Sequence, residues 1–233
     1  MKISSISLKV LAGALIAISA TGVTVASNYK GEGYYKGDVP CPVRGGLKDG
    51  IYLGAQVGYD SYRIRENQTL PGGVNGNPAI DLTGWVGGIF LGYGQYVTNQ
   101  FYLGAEILGN YSGANTSYSF GDYNSKVTIK GSAGIDFIPG LKLNDSSLGY
   151  LRLGYKAAKF QSQESLTGGS SASHSSTQFG FNYGLGIETL AYENWSIRTE
   201  YTHTNYSSFT SGLGTKFNLS DNQVMLGVLY HFV

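Results

Sequence analysis

Residues 50–64 read GIYLGAQVGYDSYRI. Ile51, Leu53, Ala55, Val57 and Tyr59 fall on one parity, and Tyr52, Gly54, Gln56, Gly58 and Asp60 on the other. Alternation at period two is the signature of a strand with two unlike faces. Here one face is continuously apolar, and the other mixes Gly, Tyr and polar groups. The segment therefore predicts a strand with lipid on one side and a lumen on the other.

The pattern recurs seven times. Trp85, Ile89, Leu91 and Tyr93 are expected outward in the second segment, and Phe101, Leu103, Ala105 and Ile107 in the third, where Glu106 takes the opposite parity. In the fourth, Val127, Ile129, Ala133, Ile135 and Phe137 oppose Lys126, Thr128, Lys130, Ser132 and Asp136. Leu151, Leu153 and Tyr155 oppose Arg152 and Lys156 in the fifth; Phe179, Phe181, Tyr183, Leu185 and Ile187 oppose Asn182 and Glu188 in the sixth. The seventh sets Trp195, Ile197 and Tyr201 against Arg198 and Glu200, and the last sets Val224, Leu226, Val228, Tyr230 and Phe232 against Gln223, Met225 and His231. Each segment has about the 9 to 11 residues that cross a bilayer at a tilt.

The connections alternate in length. Those over 63–82, 112–124, 161–177 and 205–221 are long and polar, those at 96–100 and 191–194 are short, and that from Ile138 to Ser147 is intermediate. Outer-membrane barrels carry long extracellular loops and short periplasmic turns, which places both termini in the periplasm. The expected fold is all-β: a single eight-stranded antiparallel transmembrane β-barrel with up-and-down connections over residues 50–233. A soluble β-sandwich would also alternate, but its polar face would be rich in charge. Only 13% of this chain is charged, and that face carries Gly, Tyr, Asn and Ser instead.

Ahead of the barrel, Lys2 and Lys9 precede an apolar run from Val10 to Ala20, and Thr24-Val25-Ala26 offers a small-residue cleavage site. Residues 1–26 read as a signal peptide, and 27–49, Gly-rich and without period, as a periplasmic leader. No later stretch supplies about 20 continuous apolar residues for a spanning helix. Cys41 is the only cysteine, so no internal disulfide forms, and its expected reading is an unpaired thiol without a role. A net charge of +1 favours no nucleic acid.

The opening GIYLGAQVGY, the IFLGYG and FYLGAEI pair around a short turn, and the terminal LGVLYHF resemble the opacity-protein/OmpA-like outer-membrane β-barrel family of Gram-negative bacteria, over Gly50 to Val233. The resemblance implies a small surface barrel that supports the envelope or acts as a surface antigen or adhesin, some members being described as porins. It also implies that Tyr230 and Phe232 form the assembly signal read by the barrel-insertion machinery, shifted by one residue because Val233 follows. The family's peptidoglycan-binding domain is not expected, since the chain stops at the last strand.

Eight inward charges, Glu106, Lys130, Asp136, Arg152, Lys156, Glu188, Arg198 and Glu200, are expected to form a lumen ion-pair network, because isolated charge in a low-dielectric interior is costly. Eight strands enclose little more than their side chains, so the lumen should be plugged, and its many glycines should admit the rings of Tyr52, Tyr102 and Tyr150. Among the histidines, only His203 stands where a lipid-modifying site would need it, with no serine and acid assignable by spacing; His174 and His231 stand apart, giving no metal-ligand pattern. No enzymatic activity and no cofactor is expected. Partners are outer-membrane lipid, including lipopolysaccharide, and possible host surface molecules met by the loops through Tyr62, Arg63, Arg65, Tyr118, Tyr123, Tyr206 and Phe209. The expected function is envelope-structural or surface adhesion, the alternatives being a small porin and a lipid A-modifying enzyme.

Overall fold

The computed structural model describes residues 47–69, 75–76, 79–120, 123–166, 171–210 and 216–232. The signal peptide, Cys41 and the leader up to residue 46 lie outside them. Eight long strands make one closed antiparallel barrel: β1 (Gly50–Thr69), β2 (Ala79–Tyr96), β3 (Phe101–Ser112), β4 (Tyr123–Asn144), β5 (Ser147–Leu166), β6 (Ser171–Tyr192), β7 (Trp195–Tyr206) and β8 (Lys216–Phe232). Each pairs with its sequence neighbours, and β1 closes on β8 from Ile51↔Phe232 to Asn67↔Lys216. Closure leaves no edge along the lipid-level wall, where an unpaired backbone group would cost several kcal/mol.

The alternation is inverted relative to a soluble protein. Trp85 is 72% exposed on the outer face, whereas the inward Arg152 is 2% exposed. An apolar belt of this extent is what a bilayer solvates and water does not. Trp195, Tyr230 and Phe232 make a chain of edge-to-face contacts near the terminal end, with centroids 5.1 and 5.2 Å apart. Amphipathic rings gather at such a boundary.

Three connections are tight: the bend Val97–Gln100 and the two-residue turns Asp145–Ser146 and Glu193–Asn194. The second corrects the intermediate connection expected from Ile138 to Ser147, because β4 continues to Asn144 with Ile138 turned inward. Glu193 takes a left-handed φ of 45° to make the third turn. The other connections are shorter than expected in their unpaired part. β1 runs on to Thr69, and β5 and β6 stay paired as far as Ser165↔Ser171, so the polar sequences build hairpins that continue the wall.

One irregularity re-aims a side chain. The β4–β5 register shifts between Ile129↔Phe160 and Gly131↔Lys159, a β-bulge that places one extra residue on β4. Below the bulge the expected parity holds, with Ile135 and Phe137 outward and Asp136 inward. Above it the parity flips. Ile129, expected outward, is fully buried in the lumen, and Lys130, expected inward, is exposed.

Candidate functional site: a filled lumen and an open-edged rim

Inward side chains form three layers along the barrel axis. In the layer at the tight-turn end, Tyr102, Ile138, Leu148 and Tyr150 pack together with Leu47 and Tyr96 against them. The chain just before β1 is tied down here, since Tyr96 N–H donates to Asp49 Oδ1 at 2.8 Å and Lys48 Nζ donates to Asn194 Oδ1. Half-buried Lys142 stands 2.9 Å from exposed Asp145 in the adjacent turn, and its hydrogen bond and charge hold that carboxyl below the usual range. His231 Nε2 lies 2.8 Å from Glu188 Oε1, both buried, and the imidazole tilts over Tyr52.

The middle layer is ionic. Arg152 donates to Glu106 Oε1 and to Asp136 Oδ2 at 3.0 Å, and its Nη2 is 2.9 Å from Glu200 Oε1. Arg198 donates to Glu106 Oε2 at 2.6 Å and to Gln56 Oε1 at 3.1 Å. The carboxylates gain further donors, Asn182 to Asp136 at 2.9 Å and Tyr150 to Glu200 at 2.6 Å. Two forked guanidiniums thus meet three carboxylates, the five groups standing on four strands, an arrangement that makes buried charge tolerable.

Of the eight charges expected to interact, five form this network: Glu106, Asp136, Arg152, Arg198 and Glu200. Lys156 is buried but donates to Gln223 Oε1 at 2.7 Å, Glu188 pairs with His231 instead, and Lys130 is outside the barrel because of the bulge. The sequence reading missed Asp221, which it left in a loop and which is fully buried beside the charge of Lys156. Asp60 is buried with it and accepts from Ser112 at 2.7 Å. Glycines make room for rings as expected: a Cβ on Gly92 would lie 2.2 Å from Tyr52 Cζ, and one on Gly186 2.5 Å from Tyr150 Cζ.

The third layer, toward the long hairpins, is apolar. Tyr62, Leu82, Ala114, Ile129, Ala158, Tyr206 and Leu219 form a buried cluster flanked by Phe160. Tyr62 and Tyr206 stack with centroids 6.4 Å apart, and Phe160 meets each of them edge-on. Tyr62 and Tyr206 are therefore plug residues and not the surface contacts expected of them. Arg63 is exposed and pairs with Asp81 at 2.9 Å. The side chains of Arg65, Tyr118, Tyr123, His174 and Phe209 lie outside those described.

Beyond this plug the wall divides. Pairing of β6 with β7 ends at Gly180↔Tyr206, with Ser207 N–H donating to Phe179 O, so residues 171–178 pair only with β5 among the described residues. On the opposite side β2 and β3 part at Val86↔Ser112, and Asn115–Phe120 pairs only with β4. A four-stranded sheet of residues 115–120, 123–129, 160–166 and 171–178 therefore rises past the plug with two edges that find no partner strand among the described residues.

His203 sits between β6 and β8 on the outer face. Its Nδ1 is 2.8 Å from Asn222 Oδ1, its Nε2 is 3.0 Å from Asn205 Oδ1, and its ring tilts over Tyr183. Among the described residues neither nitrogen meets a serine hydroxyl or a carboxylate, and no group of three metal-ligating side chains converges.

Residues 14–232 match the family described as Outer membrane protein beta-barrel domain. The 31 kDa outer-membrane immunogenic protein of Brucella melitensis is 25% identical over 175 residues, covering 66% of this chain and 70% of that one. Outer membrane protein X of Escherichia coli K12 is 26% identical over 159 residues, covering 66% and 88%. Among solved structures, Ail, the attachment invasion locus protein of Yersinia pestis, aligns with a TM-score of 0.44 at 16% identity over 79% of this chain and all of that one. With the matched region spanning every strand of the closed wall, the chain belongs to the outer membrane protein β-barrel family and is an outer-membrane protein.

Proposed function

We propose that this is a non-enzymatic surface-interaction protein whose barrel is an anchor and whose working part is the sheet that rises beyond the plug. In this reading the long hairpins face outward from the cell and both termini face the periplasm. The observation that carries it is the edge at residues 171–178, which pairs only with β5 among the described residues and lies in a serine-rich, weakly charged sequence. An open edge is normally blunted, because it pairs with any extended segment it meets. Kept open at a surface, it can bind a partner by adding a strand, with main-chain hydrogen bonds supplying affinity. The name of the Brucella relative, an immunogenic protein, fits exposure of such a part.

The small-porin reading has less support, because three buried layers stand in the lumen, the middle one tied by short ion pairs. An eight-stranded barrel filled with side chains offers no aqueous path. The test has two arms. Refolded protein in a planar bilayer should give no unit conductance steps; regular steps would reinstate the porin. Bacteria displaying the full chain should adhere to epithelial monolayers or matrix gel, and a chain lacking residues 162–175 should fold but adhere several-fold less. Equal adherence would remove the edge from the function.

A further inference from the structure

The two strands that close the barrel also carry two carboxylates into its lumen. Asp60 of β1 faces Gln223 of β8, and two residues along the same seam Asp221 of β8 faces Tyr62 of β1. Both acids are fully buried. Like charges set across neighbouring strands repel, and these do so in a low-dielectric interior. Elsewhere in the lumen the acids are paired: Glu106, Asp136 and Glu200 share two guanidiniums, and Glu188 meets His231. Among the described residues no cationic group stands within ion-pair distance of Asp60 or Asp221. Lys156 is the cation whose charge bears most on both, yet its ammonium donates to Gln223 Oε1 at 2.7 Å.

The lumen also holds more acid than base. The described residues bury six carboxylates against Arg152, Lys156, Arg198 and His231, so even a charged His231 leaves two negative charges over. Unsatisfied atoms gather at the level of the seam acids. Both oxygens of Asp221 and Oδ1 of Asp60 find no partner in hydrogen-bond geometry among the described residues, although Tyr62 stands across the strand pair from Asp221. The same holds for two neutral oxygens of β7, Thr202 Oγ1 and the Tyr206 hydroxyl, both on buried side chains. Thr202 lies across from Gln223, and the charge of Asp221 bears on the Tyr206 hydroxyl more than any other. Buried polar atoms are nearly always partnered, so five such oxygens on three adjoining strands call for a bound group.

The acceptors are all oxygen, and only the two carboxylates bear charge. Hard divalent cations take such ligands, magnesium through one or two carboxylates with several waters retained. Gln223 Nε2, unpartnered as well, is a donor suited to a water that the ion keeps. A proton would neutralise one carboxyl and leave the oxygens of β7 without a role. A monovalent cation would leave one of the two surplus charges. We propose that Asp60 and Asp221 hold a divalent cation of the calcium or magnesium type, which joins the first strand to the last from inside the lumen. The ion turns repulsion between the seam carboxylates into a link, so that pairing of β1 with β8 and capture of the ion are one event. Once the plug and the ionic layer enclose it, the ion leaves only when the seam opens.

The full mature chain tests this when refolded in a non-ionic detergent with either chelator alone or millimolar calcium and magnesium chlorides, then freed of loose metal on a chelating resin. The wild type refolded with the metals should retain about one divalent ion per chain, and its thermal unfolding midpoint should lie several degrees above that of the chelated form. Asp60→Asn/Asp221→Asn, its folding shown by heat-modifiable mobility, should retain about tenfold less metal, with a midpoint that does not respond. Asp221→Asn alone, which leaves one seam carboxylate in place, should show the same loss and serves where the double variant does not fold. Asp81→Asn/Asp145→Asn, which removes exposed carboxylates, should keep both the ion and the response. A metal-free wild type, full retention by the seam variants, or an equal loss in the surface variant overturns the site. A metal-free wild type that the seam changes stabilise overturns it in favour of protons on the two carboxyls.

Discussion

Arg198 lays its guanidinium on the ring of Phe90, with Cζ 3.3 Å from the centroid, while the same group donates two hydrogen bonds to Glu106. The ring covers one face of the cation, whose in-plane N–H groups reach Glu106 and Gln56. A desolvated contact of this type is worth up to about 2 kcal/mol.

The network should therefore fail asymmetrically. Arg198→Gln leaves Glu106 and Glu200 short of one cation and should lower stability by about 3–5 kcal/mol. Adding Glu106→Gln should return part of that loss, giving a coupling on the order of 1 kcal/mol or more. Urea unfolding of the four proteins in lipid vesicles reads both numbers. Strict additivity would mean that the pair is not a unit.

Gly186 is a packing requirement of the buried Tyr150. Gly186→Ala pushes a methyl into that ring and should cost about 1–3 kcal/mol. Tyr150→Phe keeps the ring but removes the donor to Glu200, with a penalty of about 1–3 kcal/mol. Combining Gly186→Ala with Tyr150→Leu should cost less than the sum of the single changes, because the smaller side chain vacates the space. Unfolding midpoints of the set decide it.

The bulge predicts a tolerated deletion. Removing Lys130 alone leaves Ile129 inward and Ala133 outward in an unbroken alternation, so the barrel should refold with a loss of about 1 kcal/mol or less. Removing Ile135 shifts part of a strand by one residue, exchanging its lumen and lipid faces, and should abolish the folded form. Heat-modifiable electrophoretic mobility separates the two outcomes.

Tyr230 and Phe232 end β8 on its outer face with their rings 5.2 Å apart. If they are read by the insertion machinery, Phe232→Ala should leave the protein refolded in vitro within about 2 kcal/mol of wild type, the scale of one partly exposed apolar side chain. In cells the same variant should accumulate several-fold as unassembled periplasmic chain. Normal assembly in cells would remove the signal from Phe232.

The wall and most of the lumen were legible because period two admits no compromise. Once Leu53 faces lipid, Gln56 and Asp60 must face the lumen, and the same logic placed Glu106, Arg152, Arg198 and Glu200. The reading broke where one extra residue entered the strand. KVTIKGSAGID alternates plausibly in either phase around residue 130, and the one mark of the irregularity was Gly131, a residue that often accompanies a bulge. It also ended the strands too early. Arg63 reads as the start of a loop, although Tyr62 and Leu82 keep the inward parity; charge on the outer face marks the end of the membrane and not of the strand. Tyr206 and Asp221 were misplaced for the same reason. Which lumen charges touch was not readable, since strand tilt brings side chains together at offsets that a single sequence does not encode.

The seam between β1 and β8 sets the order of events in making this protein. Ile51 finds Phe232 only after every intervening residue has been synthesised, so the barrel cannot be completed piecemeal on a growing chain. Until that last pairing, the sheet has two raw margins and an apolar exterior, the most aggregation-prone form the chain can take. Non-local pairing of this span is also intrinsically slow. A chain built this way is most exposed to aggregation before that pairing forms, and its vulnerability lies in the interval before closure.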